Sequence, residues 1–178
     1  MLIRRYEPQD ATAVRDLFIK INRAMAPDSL RDAFEAYVAQ SLREEIDRIP
    51  DYYGARDGSF WIATDDDGLL GMFGLERVDA DSAELRRMYV APEVRRRGVA
   101  RAMLAHAEQV CAAAGLRRLI LSTSELQPAA LALYRASGFI LVREEVAEAR
   151  SNKTVGAGLR RFHFEKQLPA LRANTIGR

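Results

Sequence analysis

The chain of 178 residues is 48% hydrophobic and 29% charged, with a formal net charge of +2, the balance of one soluble globular domain with a sizeable core. That charge gives no global field for nucleic acid or membrane. No stretch approaches the roughly 20 apolar residues of a bilayer-spanning helix, the N-terminal MLIRRYEPQD lacks a signal-peptide core, and the single cysteine, Cys111, excludes an internal disulfide framework. A cytoplasmic location is expected.

In chain order, LIRRYE reads as a first strand. Pro8 and Asp10 open a helix whose apolar positions Val14, Leu17, Phe18 and Ile21 follow the i, i+3, i+4, i+7 pattern. Ala26-Pro27 ends it. Ser29 with Asp32 resembles a capping box, predicting a second helix that turns Phe34, Tyr37, Val38, Leu42 and Ile46 inward and ends near Pro50. DYYGARDGS is expected to be a loop. SFWIAT and LLGMFGLERV read as a hairpin across DDDG. AELRRMYV is a fourth strand, with Glu84, Arg86, Met88 and Val90 alternating against Leu85, Arg87 and Tyr89.

A helix from Gly98 to Ala114 follows, with an apolar stripe of Val99, Met103, Leu104, Ala107, Val110, Cys111 and Ala114 and a stop at Gly115. LRRLILST is a fifth strand, PAALALYRAS a short helix started by Pro128 and closed by Gly138, and FILVREEVAEA and LRRFHFEKQL are two closing strands. No repeat or linker interrupts the chain, so residues 1–168 are expected to form one α/β domain, with 169–178 a frayed tail.

The stretch MYVAPEVRRRGVARAML, residues 88–104, places three arginines where a helix begins. The helix N-terminus already carries partial positive charge, so cations there are unfavourable unless an anion sits among them. Strand, turn, glycine and helix form an arrangement that aims free backbone N–H groups at a phosphate, and Gly98 lets a ligand approach the backbone. The other arginine pairs, Arg4-Arg5, Arg86-Arg87, Arg117-Arg118 and Arg160-Arg161, read as solvated strand edges or faces.

The run Arg95-x-x-Gly98-x-Ala100 resembles the acetyl-CoA pyrophosphate motif of the GNAT N-acetyltransferase superfamily, and QPAALALYRASGF, residues 127–139, resembles a second motif of that family, N-x-x-A-x-x-L-Y-x-x-x-G-F. Two motifs in the right order are more specific than either alone. SFWIAT with LLGMFGL, then LSTSELQPAALALYRASGF and a late RRFHFEKQL, are similar to the camello-like branch, whose eukaryotic members carry a membrane anchor. The resemblance implies a mixed, mostly antiparallel sheet of about seven strands, splayed between the fourth and fifth, with about four flanking helices. It implies acetyl-CoA as acetyl donor, held by the backbone of Met88, Tyr89 and Val90 along the pantetheine arm. The pyrophosphate would be held by Arg95, Arg96, Arg97, Gly98, Val99, Ala100 and Arg101. Gln127 replaces the usual asparagine, and Tyr134 matches the family tyrosine as cofactor contact and proton donor to the departing thiolate.

A primary alkylamine resembling lysine, with a pKa near 10.4, must lose a proton before it attacks. Glu84 is the base candidate, through a water chain, with a salt bridge to a neighbouring arginine as its alternative. Cys111 falls in an apolar stripe and reads as core, and His106 and His163 are too isolated to make a metal site, so no metal is expected. Trp61 and Phe60 read as core or as contacts for an apolar acceptor. The expected acceptor is a small-molecule amine, with amino acids or their conjugates a guess resting on Arg86, Arg87 and Arg160 as carboxylate holders. The acceptor site would come from the first two helices and loops 50–59 and 148–158. Neither nucleic acid nor membrane is an expected partner, and a homodimer is left open. The alternatives are a peptide or protein acceptor and a non-catalytic CoA sensor.

Overall fold

A computed structural model describes residues 1–169. The strands are β1 (Leu2–Arg5), β2 (Ser59–Asp65), β3 (Gly68–Arg77), β4 (Ser82–Val90), β5 (Arg118–Ser124), β6 (Ile140–Ala147) and β7 (Leu159–Gln167). They form one seven-stranded sheet in the order β1-β2-β3-β4-β5-β7-β6. Only β4 and β5 run parallel; the other neighbours are antiparallel. The helices are α1 (Ala11–Met25), α2 (Arg31–Glu44), α3 (Ile49–Gly54), α4 (Val99–Ala113) and α5 (Pro128–Ala136). No helix among the described residues is long and apolar enough to cross a membrane. The expected frayed tail falls largely on residues 170–178, outside the described residues.

Periodicity decides how the layers meet. The α1 stripe of Val14, Leu17, Phe18 and Ile21 is buried, as is the α2 stripe of Phe34, Tyr37, Val38 and Leu42. Phe18 packs edge-on against Tyr89 of β4, 6.0 Å between ring centroids, so these helices cover one face of the sheet. Helix α4 buries Val99, Met103, Leu104, Ala107 and Cys111 against the opposite face, where His106 meets Trp61 of β2 at 4.7 Å.

Three local expectations are corrected. Ser29 and Asp32 make no capping box: a 3-10 turn, Asp28–Leu30, leads into α2, and its N-cap, Leu30, offers no side-chain acceptor. Pro50 does not end a helix but lies in the first turn of α3, where its missing N–H is no loss. The expected loop therefore begins with a helix whose Tyr52 and Tyr53 are buried. Finally, the alternation of β4 breaks at Arg87. Gly74 of β3 faces Arg86 and Met72 faces Tyr89, so Arg87 and Met88 together oppose Phe73. Arg87 takes φ +52°, a β-bulge that places Arg86, Arg87 and Tyr89 toward α1 and α2.

Candidate active site

The bulge is held by a buried ionic cluster. Glu45, fully buried just after α2, accepts from Arg86 at 2.7 Å and from Arg87 at 2.7 and 3.1 Å. Tyr53 Oη donates to the same carboxylate at 2.7 Å. Its ring lies across Gly74, where any Cβ would fall 2.2 Å from that hydroxyl, so the strand needs glycine there. Arg86 also donates to Glu76 at 2.8 Å, and Arg87 reaches Tyr37 Oη and the Asn152 carbonyl. Burial pushes the Glu45 carboxyl up, but Arg87, Arg86 and Tyr53 outweigh it and hold the group below the ordinary carboxylate range.

This cluster anchors β4 just where β5 leaves it. The last β4–β5 pair is Leu85 with Leu121. From Arg86 to Val90, β4 pairs only with β3 among the described residues, and its other edge faces the gap. The splay puts Met88, Tyr89 and Val90 along an open strand edge able to accept an extended amide chain.

At the end of that edge lies the arginine loop. Arg96 at φ +64° and Gly98 at φ +83° alternate with neighbours of ordinary φ, a curvature that gathers successive N–H groups into one concavity. The backbone N–H groups of Arg96, Arg97, Gly98, Val99, Ala100 and Arg101 donate to no protein acceptor among the described residues. Beyond its chain neighbours, no atom of the described residues lies within 4 Å of where a Cβ on Gly98 would sit. Arg95, Arg96 and Arg97 are exposed, as is Arg101, and none of them forms an ion pair among the described residues, the one nearby carboxylate, Glu93, being taken by Lys20. Free N–H groups, the N-terminal end of α4 and cations unpaired among the described residues thus converge in an arrangement suited to an anion.

Between strand edge and helices runs a cavity of about 100 Å³. Glu84, Met88, Tyr89, Gln127 and Tyr134 all line it, together with Lys153 and Arg161. Tyr134, 6% exposed, has Met88 Sδ at 3.9 Å as its hydroxyl contact; its ring packs on Phe139 and Phe164. Burial pushes its phenol well above the ordinary tyrosine range, so the group stays a hydrogen-bond donor at any physiological pH. Gln127 accepts from Thr123 Oγ1 at 2.9 Å through Oε1, leaving its amide NH₂ for the cavity. Among the described residues Glu84 is the one carboxylate lining it. Glu84 is ion-paired through Oε2 at 2.5 Å with Lys153, a lysine and not the arginine weighed from sequence.

Some of the other expectations are corrected. Arg86 and Arg87 are not solvated, and their charge is taken by Glu45 and Glu76, so neither is free to hold a carboxylate. Arg160 is exposed and paired with Glu144 at 3.3 Å. Helices α1 and α2 and residues 152–155 contribute to the cavity, but no residue of 50–59 does. Phe60 packs on Tyr6 and Tyr53 and Trp61 on Phe73, both away from it. Cys111 is buried in α4, and burial, with Glu108 nearby, pushes its thiol up to about 11, which leaves it a poor nucleophile. His163 pairs with Glu145. Two residues escaped sequence reasoning. Glu45 had a signal, a carboxylate on the helical stripe between Leu42 and Ile46; Arg161 had none that separated it from Arg160.

Comparison with known proteins agrees with this geometry. The profile of the Acetyltransferase (GNAT) family matches residues 23–139. N-acetyltransferase family 8 member 3 of Rattus norvegicus is 34% identical over 112 residues, 60% of this chain and 49% of that protein; the chain spans about half the length of the curated relatives it matches. PaiA N-acetyltransferase from Thermoplasma acidophilum, solved in complex with coenzyme A, superposes with a TM-score of 0.72 at 19% identity, covering 93% of this chain and 98% of that one. Spermidine N-acetyltransferase from Vibrio cholerae, solved with CoA and spermine, gives 0.69 at 21% identity over 93% and 94% of the two chains. The open β4 edge, the arginine loop and the matched profile together place this chain in the GNAT acetyltransferase family.

Proposed function

We propose that the protein is an N-acetyltransferase that moves the acetyl group of acetyl-CoA to a primary amine of a small molecule, directly, within a ternary complex. The observation that carries this reading is the continuity of one open strand edge, Met88 to Val90, with the free N–H groups of Arg96 to Arg101. The first suits the amides of a pantetheine arm and the second a pyrophosphate. The coenzyme A complex of the PaiA structure supports the same donor.

Acetyl-CoA supplies an acyl group activated as a thioester. Glu84 takes a proton from the acceptor ammonium through solvent, using Oε1, since Lys153 occupies Oε2. The neutral nitrogen then attacks the thioester carbonyl, a carbon–nitrogen bond forms and the carbon–sulfur bond breaks. The Tyr134 hydroxyl passes its proton to the departing sulfur, which leaves as the thiol, and the proton that the nitrogen sheds as the amide forms replaces it through solvent. Burial raises that phenol, and the same desolvation disfavours a bare thiolate, so a fixed hydrogen bond there lowers the barrier. The raised Cys111 thiol, within the α4 core, leaves no role for a covalent acyl-cysteine.

Calorimetric titration with acetyl-CoA tests the donor site. The φ of +83° at Gly98 disfavours any side chain, and the space above it is where the phosphates would lie. Gly98→Val is expected to weaken acetyl-CoA binding at least about tenfold. Equal affinity for both proteins refutes the assigned phosphate site.

A further inference from the structure

The charges around the cavity cancel in groups, with one exception. Arg86 and Arg87 are balanced by Glu45 and Glu76, and Lys153 by Glu84. Arg161 is 9% exposed and lines the same cavity as Tyr134, yet it forms no ion pair among the described residues. Its one side-chain hydrogen bond among the described residues is to a neutral group, the Ser122 hydroxyl. The nearby Glu145 is engaged by His163 at 2.7 Å and Arg143 at 2.9 Å. Strand pairing dictates this placement: Arg161 lies opposite Ser124 of β5 and Glu145 of β6, beside the point where β4 and β5 part. A guanidinium that stays charged, withdrawn from water without a counter-ion, is costly. Burial pulls its pKa down, outweighing the nearby Tyr37, Glu145 and Glu84, none of which contacts the guanidinium directly.

We infer that Arg161 holds the carboxylate of the acceptor, making the acceptor class α-amino acids and their derivatives with a free carboxylate. The fork of N–H donors in arginine suits a carboxylate bidentately, and Met25, Phe34 and Val155 in the same cavity give an apolar side chain a place to lie. Polyamines bring only positive charge and would meet Arg161 unfavourably. This inference rests on the cavity being the acceptor site of an acetyltransferase.

The test compares the twenty standard L-amino acids with spermidine, and the best amino acid with its own primary amide. The amide's amine is the less basic, so a preference for the acid reports the carboxylate. Wild type is expected to prefer acid over amide by at least about tenfold in kcat/KM. Arg161→Gln should bring that ratio to within about twofold of unity through KM for the acid, with acetyl-CoA affinity and thermal stability undiminished. Arg161→Lys should be intermediate, keeping the charge without the fork. Preference for the amide or spermidine overturns the inference. So does a ratio that survives Arg161→Gln, a variant that loses acetyl-CoA affinity, or acetyl-CoA binding with no amino acid used. Wild type that fails to bind acetyl-CoA overturns the enzymatic reading itself, and this inference with it.

Discussion

Tyr134→Phe is expected to slow acetyl transfer by about 100- to 10,000-fold, the range for losing a positioned proton donor, with acetyl-CoA affinity nearly unchanged. The substitution isolates the hydroxyl because the ring is held independently, 5.8 Å from Phe139 and 6.2 Å from Phe164 between centroids. The hydroxyl's protein contact is a thioether sulfur at 3.9 Å, a weak acceptor, so removing it leaves no strong buried group unpaired. Thermal stability should therefore move little. Single-turnover acetylation beside an acetyl-CoA titration separates the two effects. A variant that transfers at the wild-type rate removes Tyr134 from the mechanism.

Glu45→Gln is expected to cost about 3–5 kcal/mol, the usual penalty for removing one partner of a buried ion pair. Glutamine keeps the volume, so the loss reports charge. Arg87, 8% exposed, would be left with no carboxylate partner among the described residues, and Arg86 with only Glu76. For a chain of this size the melting temperature should fall by roughly 6–20 °C. The depressed pKa fixes the pH dependence. Glu45's contribution is fully present above the unfolded carboxylate value of about 4.3, and it is lost as pH falls through the lower folded value. The stability gap between wild type and variant, from denaturant midpoints, should thus be widest near neutrality and narrow below about pH 4. A gap that stays constant from neutral to strongly acidic pH contradicts the assignment.

These two residues also mark where sequence was readable and where it was not. Tyr134 lies in a contiguous segment whose turn, helix and glycine stop are all local, so its position could be read directly. The same holds for the arginine loop, since the left-handed Gly98 and the start of α4 are set by neighbours in the chain. Arg86 and Arg87 misled because their partner, Glu45, lies 41 and 42 residues away, and the bulge that turns both toward it is invisible to simple alternation. Pro50 is ambiguous in principle, since proline both ends helices and suits their first turn. Arg160 and Arg161 differ only in which face of β7 each occupies, and its pairing with β5 and β6 decides that.

The account's central claim, acetyl transfer to an amine, is tested most directly by following free thiol from acetyl-CoA with the purified protein, with and without L-amino acids, and by mass analysis of the amine. The account predicts thiol release that depends on the amine and matches N-acetylated product one for one. Tight acetyl-CoA binding with no amine-dependent release from amino acids, polyamines or peptides would contradict it and leave a CoA-binding sensor in its place.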